Sequence, residues 1–98
     1  MATDPGEDRF QSVWCRCRLS ASLKPDEAFI RIDEAFAPEP PAFYVKSSLV
    51  SPQPLAEEAD GRVRVTLLHQ NNGRSLVEVS GEPLTFGPRV EVPTELLK

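Results

Sequence analysis

Gln11-Ser12-Val13-Trp14-Cys15-Arg16-Cys17-Arg18-Leu19-Ser20-Ala21 is the stretch that decides the fold class. Val13, Cys15, Cys17, Leu19 and Ala21 fall on one side of an extended chain, and Trp14, Arg16, Arg18 and Ser20 fall on the other. Only a repeat of two separates the sets so cleanly, so the stretch is a half-buried strand.

Working outward, the same period returns in a hairpin over 62–80. Val63, Val65 and Leu67 alternate with Arg62, Arg64 and Thr66, and Val77 and Val79 alternate with Glu78 and Ser80. Asn71-Asn72-Gly73 lies between the two runs. A two-residue Asn-Gly loop in a type I′ turn would set Leu67 opposite Glu78 on the core face, which is costly. A three-residue loop with Gly73 left-handed in a bulge pairs Leu67 with Val77 and Val65 with Val79 instead. It also gathers Arg64, Thr66, Glu78 and Ser80 on the wet face. That second register is the expected one.

The remaining segments are shorter. Phe43 to Val50 reads as a strand, followed by a polar loop from Ser51 to Asp60 whose Glu57, Glu58 and Asp60 are most simply solvated. Arg89 to Val92, bracketed by Pro88 and Pro93, reads as an edge strand. Thr94 to Lys98 has the makings of a helical turn but is too short to be stable alone. Pro38-Glu39-Pro40-Pro41 is a stiff extended connector.

Pro25 to Phe36 admits two readings. Pro25 at a first helical position, Asp26 and Glu27 in the first turn and a Glu27–Arg31 pair favour a helix. The tetrad Asp-Glu-Ala-Phe at 26–29 and again at 33–36 would place Phe29 and Phe36 on one helical face. Phe29-Ile30-Arg31-Ile32, rich in strand formers, favours a strand. The expected architecture is therefore mainly β: a small antiparallel sandwich or partly open barrel of four to five strands. At most one short helix, over 25–36, accompanies it, and α+β is the alternative. Antiparallel pairing follows because no connection is long enough for repeated crossovers.

Composition agrees with that class. The 98 residues are 40% apolar and 27% charged, enough for one modest core and too apolar for a disordered chain. Residues 1–9 read as a disordered lead-in and 10–98 as one domain. The polar, acidic start lacks the apolar core of a secretory signal, and no apolar run nears the ~20 residues that span a bilayer. Cys15 and Cys17 are too close for an ordinary structural disulfide. The expectation is a soluble cytoplasmic protein in a reducing compartment, with no membrane partner. A net charge of −4 argues against general binding to nucleic acid, though not against a local basic patch.

Three sets of residues bear on function. Cys15, Cys17 and His69 offer soft metal ligands or a thiol pair, but a structural zinc site wants four ligands, and no second close pair exists. The cysteines share the face of Val13 and Leu19, as small buried hydrophobes do. His69 beside the hairpin turn has no nucleophile motif or orienting group with it, and neither the carboxylates nor the five glycines form a catalytic or phosphate-binding pattern. No catalytic residue, metal site or cofactor is assigned. The third set is Trp14, Arg16, Arg18, Arg62 and Arg64, all on outward faces. If the first strand and the hairpin are neighbours, they form a basic, aromatic stripe suited to acidic partners, phosphates or stacked bases. Its plainer alternatives are cross-strand pairing with Glu78 or Glu91, or Trp14 covered by the 25–36 segment.

A non-catalytic protein-interaction module is thus the expected function. It would be a small accessory subunit, adaptor or homodimer acting through a sheet face or edge strand. The alternatives are a small-barrel binder of nucleic acid or an acidic partner, and a metal- or thiol-dependent protein using Cys15, Cys17 and His69.

Overall fold

The computed structural model describes residues 10–80, 82–83 and 88–98, so the expected lead-in at 1–9 lies outside the described residues. The strands are β1 (Gln11–Ala21), β2 (Glu27–Arg31), β3 (Ala42–Lys46), β4 (Val50–Ser51), β5 (Ala59–Gln70), β6 (Arg74–Glu78), β7 (Glu82–Pro83) and β8 (Arg89–Pro93). Short 3-10 turns occupy Ser47–Leu49 and Thr94–Leu97, and there is no α-helix among the described residues. All strands join one antiparallel sheet in the order β7-β3-β2-β1-β5-β6-β8, with β4 added alongside β5. The sheet curls into a half-barrel. Among the described residues eight strands stand where four to five were expected, two of them only two residues long.

Burial follows the period-two pattern. Cys15, Cys17 and Leu19 of β1, Ala28 and Ile30 of β2, and Phe43 and Val45 of β3 are buried on the concave face. Val63 and Val65 of β5, Val77 of β6, and Val90 and Val92 of β8 complete the same face. Registers agree: Leu19 faces Ile30, Ile30 faces Phe43, Cys15 faces Val63, and Val77 faces Val90.

The helical alternative for 25–36 is overturned. Glu27–Arg31 is a strand between β1 and β3, so both its edges bond and Ala28 and Ile30 reach the core. A five-residue helix there would satisfy neither neighbour. Phe29 and Phe36 consequently part company: Phe29 packs on Tyr44 with ring centroids 5.3 Å apart, while Phe36 lies beneath Arg74, 4.2 Å from ring to guanidinium. The expected strand 43–50 also breaks. It runs from Ala42 to Lys46, turns through Ser47–Leu49, and resumes as β4.

The hairpin reaches the expected core register by another device. Leu67 faces Val77 and Thr66 faces Glu78, but the extra residue is absorbed by a bulge at Leu68, after which His69 faces Leu76. The loop itself is tight, closed by the Asn71 N–H donating to the Arg74 carbonyl at 2.8 Å. Gly73 is left-handed at φ 79°, while Asn72 keeps a negative φ, so the turn is not type I′.

The C-terminal turn, too short to stand alone, is held by tertiary contacts. Leu96 is buried in the core, the Thr94 N–H donates to the Gly73 carbonyl at 3.1 Å, and the buried Ser75 hydroxyl lies 2.8 Å from that of Thr94. The turn packs on both β1 and β8 and fills the seam of the half-barrel. At the outer edge of β8, the Phe36 N–H donates to the Glu91 carbonyl at 2.9 Å. The expected edge strand is therefore partly covered.

Candidate functional site: an arginine and tryptophan face

β1 and β5 pair over Gln11–Leu19 and Ala59–Leu67, which makes the first strand and the hairpin direct neighbours. On the convex face this register sets Trp14 opposite Arg64, Arg16 opposite Arg62, and Arg18 opposite Asp60. The five residues singled out from the sequence thus share one ladder. Trp14 is not covered by the 25–36 segment, because β2 meets β1 only over Arg18–Ala21.

The five differ in what they already hold. Arg18 is bound to carboxylates, 2.6 Å from Asp60 and 3.5 Å from Glu58. The Asp60 hydrogen bond is the main cause of its raised pKa. Glu58 in turn reaches Arg31 at 2.9 Å, and Arg31 bonds Asp33 at 3.1 Å. The Arg31 hydrogen bond holds the Asp33 carboxyl below its usual range. Glu58 and Asp60, expected to be merely solvated, are instead counter-ions in a five-membered network with Arg18, Arg31 and Asp33. Arg16 donates to the Glu95 carbonyl at 2.9 Å, with the Glu95 carboxylate at 3.9 Å. Arg64 stacks on Trp14 at 4.7 Å from the ring centroid. Arg62 is exposed.

Glu78 and Glu91, the expected cross-strand partners of these arginines, belong to others: Arg89 reaches Glu78 at 3.8 Å and Arg74 reaches Glu91 at 3.0 Å. Of the eight arginines, Arg9 lies outside the described residues. Among the described ones, Arg62 and Arg64 alone have no carboxylate in ion-pair range. They stand two apart on one strand, so about 7 Å separates their Cα atoms.

The thiols behave differently. Cys15 and Cys17 are free and buried, and desolvation pushes each thiol up to about 12. Such thiols stay protonated at neutral pH and are poor nucleophiles or ligands. His69 is exposed, six positions along β5 from the Val63 that faces Cys15, so it does not join them. Among the described residues no group of three or more His, Cys, Asp or Glu is placed to hold a metal ion. No helix among them is long and apolar enough to cross a membrane.

One surface was not anticipated from the sequence. A groove of about 740 Å³ on the convex side is lined by Ala21, Leu23, Phe29, Tyr44 and Ala56, among others, with Leu23 fully exposed beside it. Its signal was the strand alternative for 27–31, which places Phe29 outward.

No protein-family model matches the chain, and neither a curated protein nor a solved structure is similar to it.

Proposed function

We propose that this chain is a protein-interaction module whose docking surface is the convex face of β1 and β5, centred on Trp14, Arg16, Arg62 and Arg64. One observation carries the reading: in a chain of net charge −4, Arg62 and Arg64 lack carboxylates while the arginines around them have them. An unpaired guanidinium beside a tryptophan is a common anchor at protein interfaces, because both bury large planar groups at low entropic cost. The direct Arg16–Arg62 opposition is unfavourable in isolation and is relieved by an acidic partner. Two free buried thiols fit a reducing compartment such as the cytoplasm.

The test is mass-resolved size exclusion of the wild type and an Arg62→Glu/Arg64→Glu variant, each after incubation with lysate. The wild type is expected to run as a complex or dimer that the variant does not form. Arg62 is exposed, and Arg64 is half-buried over Trp14, so the change is expected to cost about 1 kcal/mol, and circular dichroism of the variant checks that it remains folded. Identical profiles for the two proteins overturn the reading.

A further inference from the structure

We infer that the ligand of this face is an extended acidic peptide with carboxylates at alternate positions, one for Arg62 and one for Arg64; the inference rests on the interaction reading above.

Three features of the ladder lead there. First, the two guanidiniums stand on the same side of β5 at i and i+2, a Cα spacing of about 7 Å. Side chains at alternate positions of an extended peptide repeat at the same distance, so a segment laid along β5 presents its acids in step with the arginines. Second, both guanidiniums retain donors. Neither Arg62 nor Arg64 makes an ion pair among the described residues, and the Arg64 guanidinium carbon lies over the Trp14 ring, 4.7 Å from its centroid. A cation held over a ring has its charge uncompensated by any carboxylate and remains available to one. Arg16 lies directly across from Arg62, with its own charge shared with the Glu95 carboxylate at 3.9 Å.

Third, the basic stretch is bounded. Along the convex face of β5 the order is Asp60, Arg62, Arg64, Thr66, and Thr66 faces Glu78 on β6. At the Asp60 end, Asp60, Glu58 and Asp33 outnumber Arg18 and Arg31 three to two, and at the other end Glu78 is balanced by Arg89. The uncompensated positive charge is therefore confined to two positions. A polynucleotide carries a phosphate at every step and gains affinity by neutralising many cations, and this face offers it no run of them. A peptide with two acids in step matches the two arginines.

The chain's sole tryptophan, Trp14, lies within the site and reports on it directly. The full chain is titrated, with Trp14 fluorescence as readout, against the blocked peptide Ser-Glu-Ser-Glu-Ser, its isomer Ser-Ser-Glu-Glu-Ser, and an oligothymidylate at low and high salt. The alternating peptide is expected to bind about threefold to tenfold tighter than its isomer. Arg62→Ala and Arg64→Ala should each remove most of that preference, while Lys46→Ala, an exposed cation on β3 away from the patch, leaves it unchanged. Equal binding of the two peptides, or none, overturns the inference. The interaction reading itself then stands or falls on whether the Arg62→Glu/Arg64→Glu variant still loses its complex. Tighter binding of the oligonucleotide, falling steeply with salt and lost in Arg62→Ala, overturns both.

Discussion

Cys15 and Cys17 show how far one residue type can be read from its neighbours. Their place on the face of Val13 and Leu19 was enough to assign them to the core, and both are buried there, Cys15 completely. The price of ionising them is a pH dependence with a definite sign. Burial raises each thiol from 9.0 to about 12, so above pH 9.0 the unfolded chain releases protons that the folded chain retains. Their contribution to stability is complete below that pH and is lost as pH climbs toward 12. At its steepest the loss is about 1.4 kcal/mol per pH unit for each thiol. Melting temperatures measured upward from pH 9.0 should therefore fall more steeply in the wild type than in a Cys15→Ala/Cys17→Ala variant. Parallel curves for the two would show that the thiols ionise freely. What single residues could not reveal was the pairing of the arginines. That Glu58 serves both Arg18 and Arg31 depends on residues far apart in sequence, Arg31 and Glu58 by 27 positions, being brought together on either side of β1.

Elements were legible where period two ran long and obscure where it was interrupted. β1 alternates over its 11 residues and was evident. β5 was evident from Arg62 to Leu67, where it alternates, while Ala59 and Asp60, read as loop, extend it at one end and the bulge at Leu68 breaks the period at the other. β2 spans five residues whose local composition also suits a helix, so only its two neighbours decide it. β4 is two residues beside Val63 and Arg62, with no sequence pattern to announce it. Gly61 sits where the Leu19 side chain of β1 and the β4 backbone converge. A Cβ at that position would lie 2.0 Å from Leu19 Cδ2 and 3.0 Å from the Ser51 carbonyl oxygen. Leu19 is held in the core and Ser51 is backbone, so neither gives way cheaply. Gly61→Ala should cost about 1–3 kcal/mol, as overpacking does, and denaturant unfolding measures it. A neutral outcome would mean that Leu19 and β4 do not close on Gly61 as described. The hairpin bulge marks another limit of local reading. The core register followed from pairing valines with valines, yet Leu68 rather than the loop carries the extra residue.

For the whole molecule, the sequence specified a mainly β, antiparallel body and left its curvature open. A sandwich and a partly open barrel share the same alternation, and the choice depends on where the edges go. Here the Thr94–Leu97 turn enters the seam with Leu96, and β4 thickens one side of β5. The face proposed for binding arises at the same scale, since Trp14 and Arg64 become neighbours only when β1 lies on β5. That ladder also sets a timetable for folding. Gln11 faces Leu67, whereas the two hairpins with the shortest connections, β1–β2 and β5–β6, each close over a few residues. Joining β1 to β5 closes a loop of dozens of residues, whose entropy must be spent before the contacts repay it. Refolding followed by Trp14 emission should accordingly fall in the millisecond-to-second range typical of such β topologies, with the stack on Arg64 forming late.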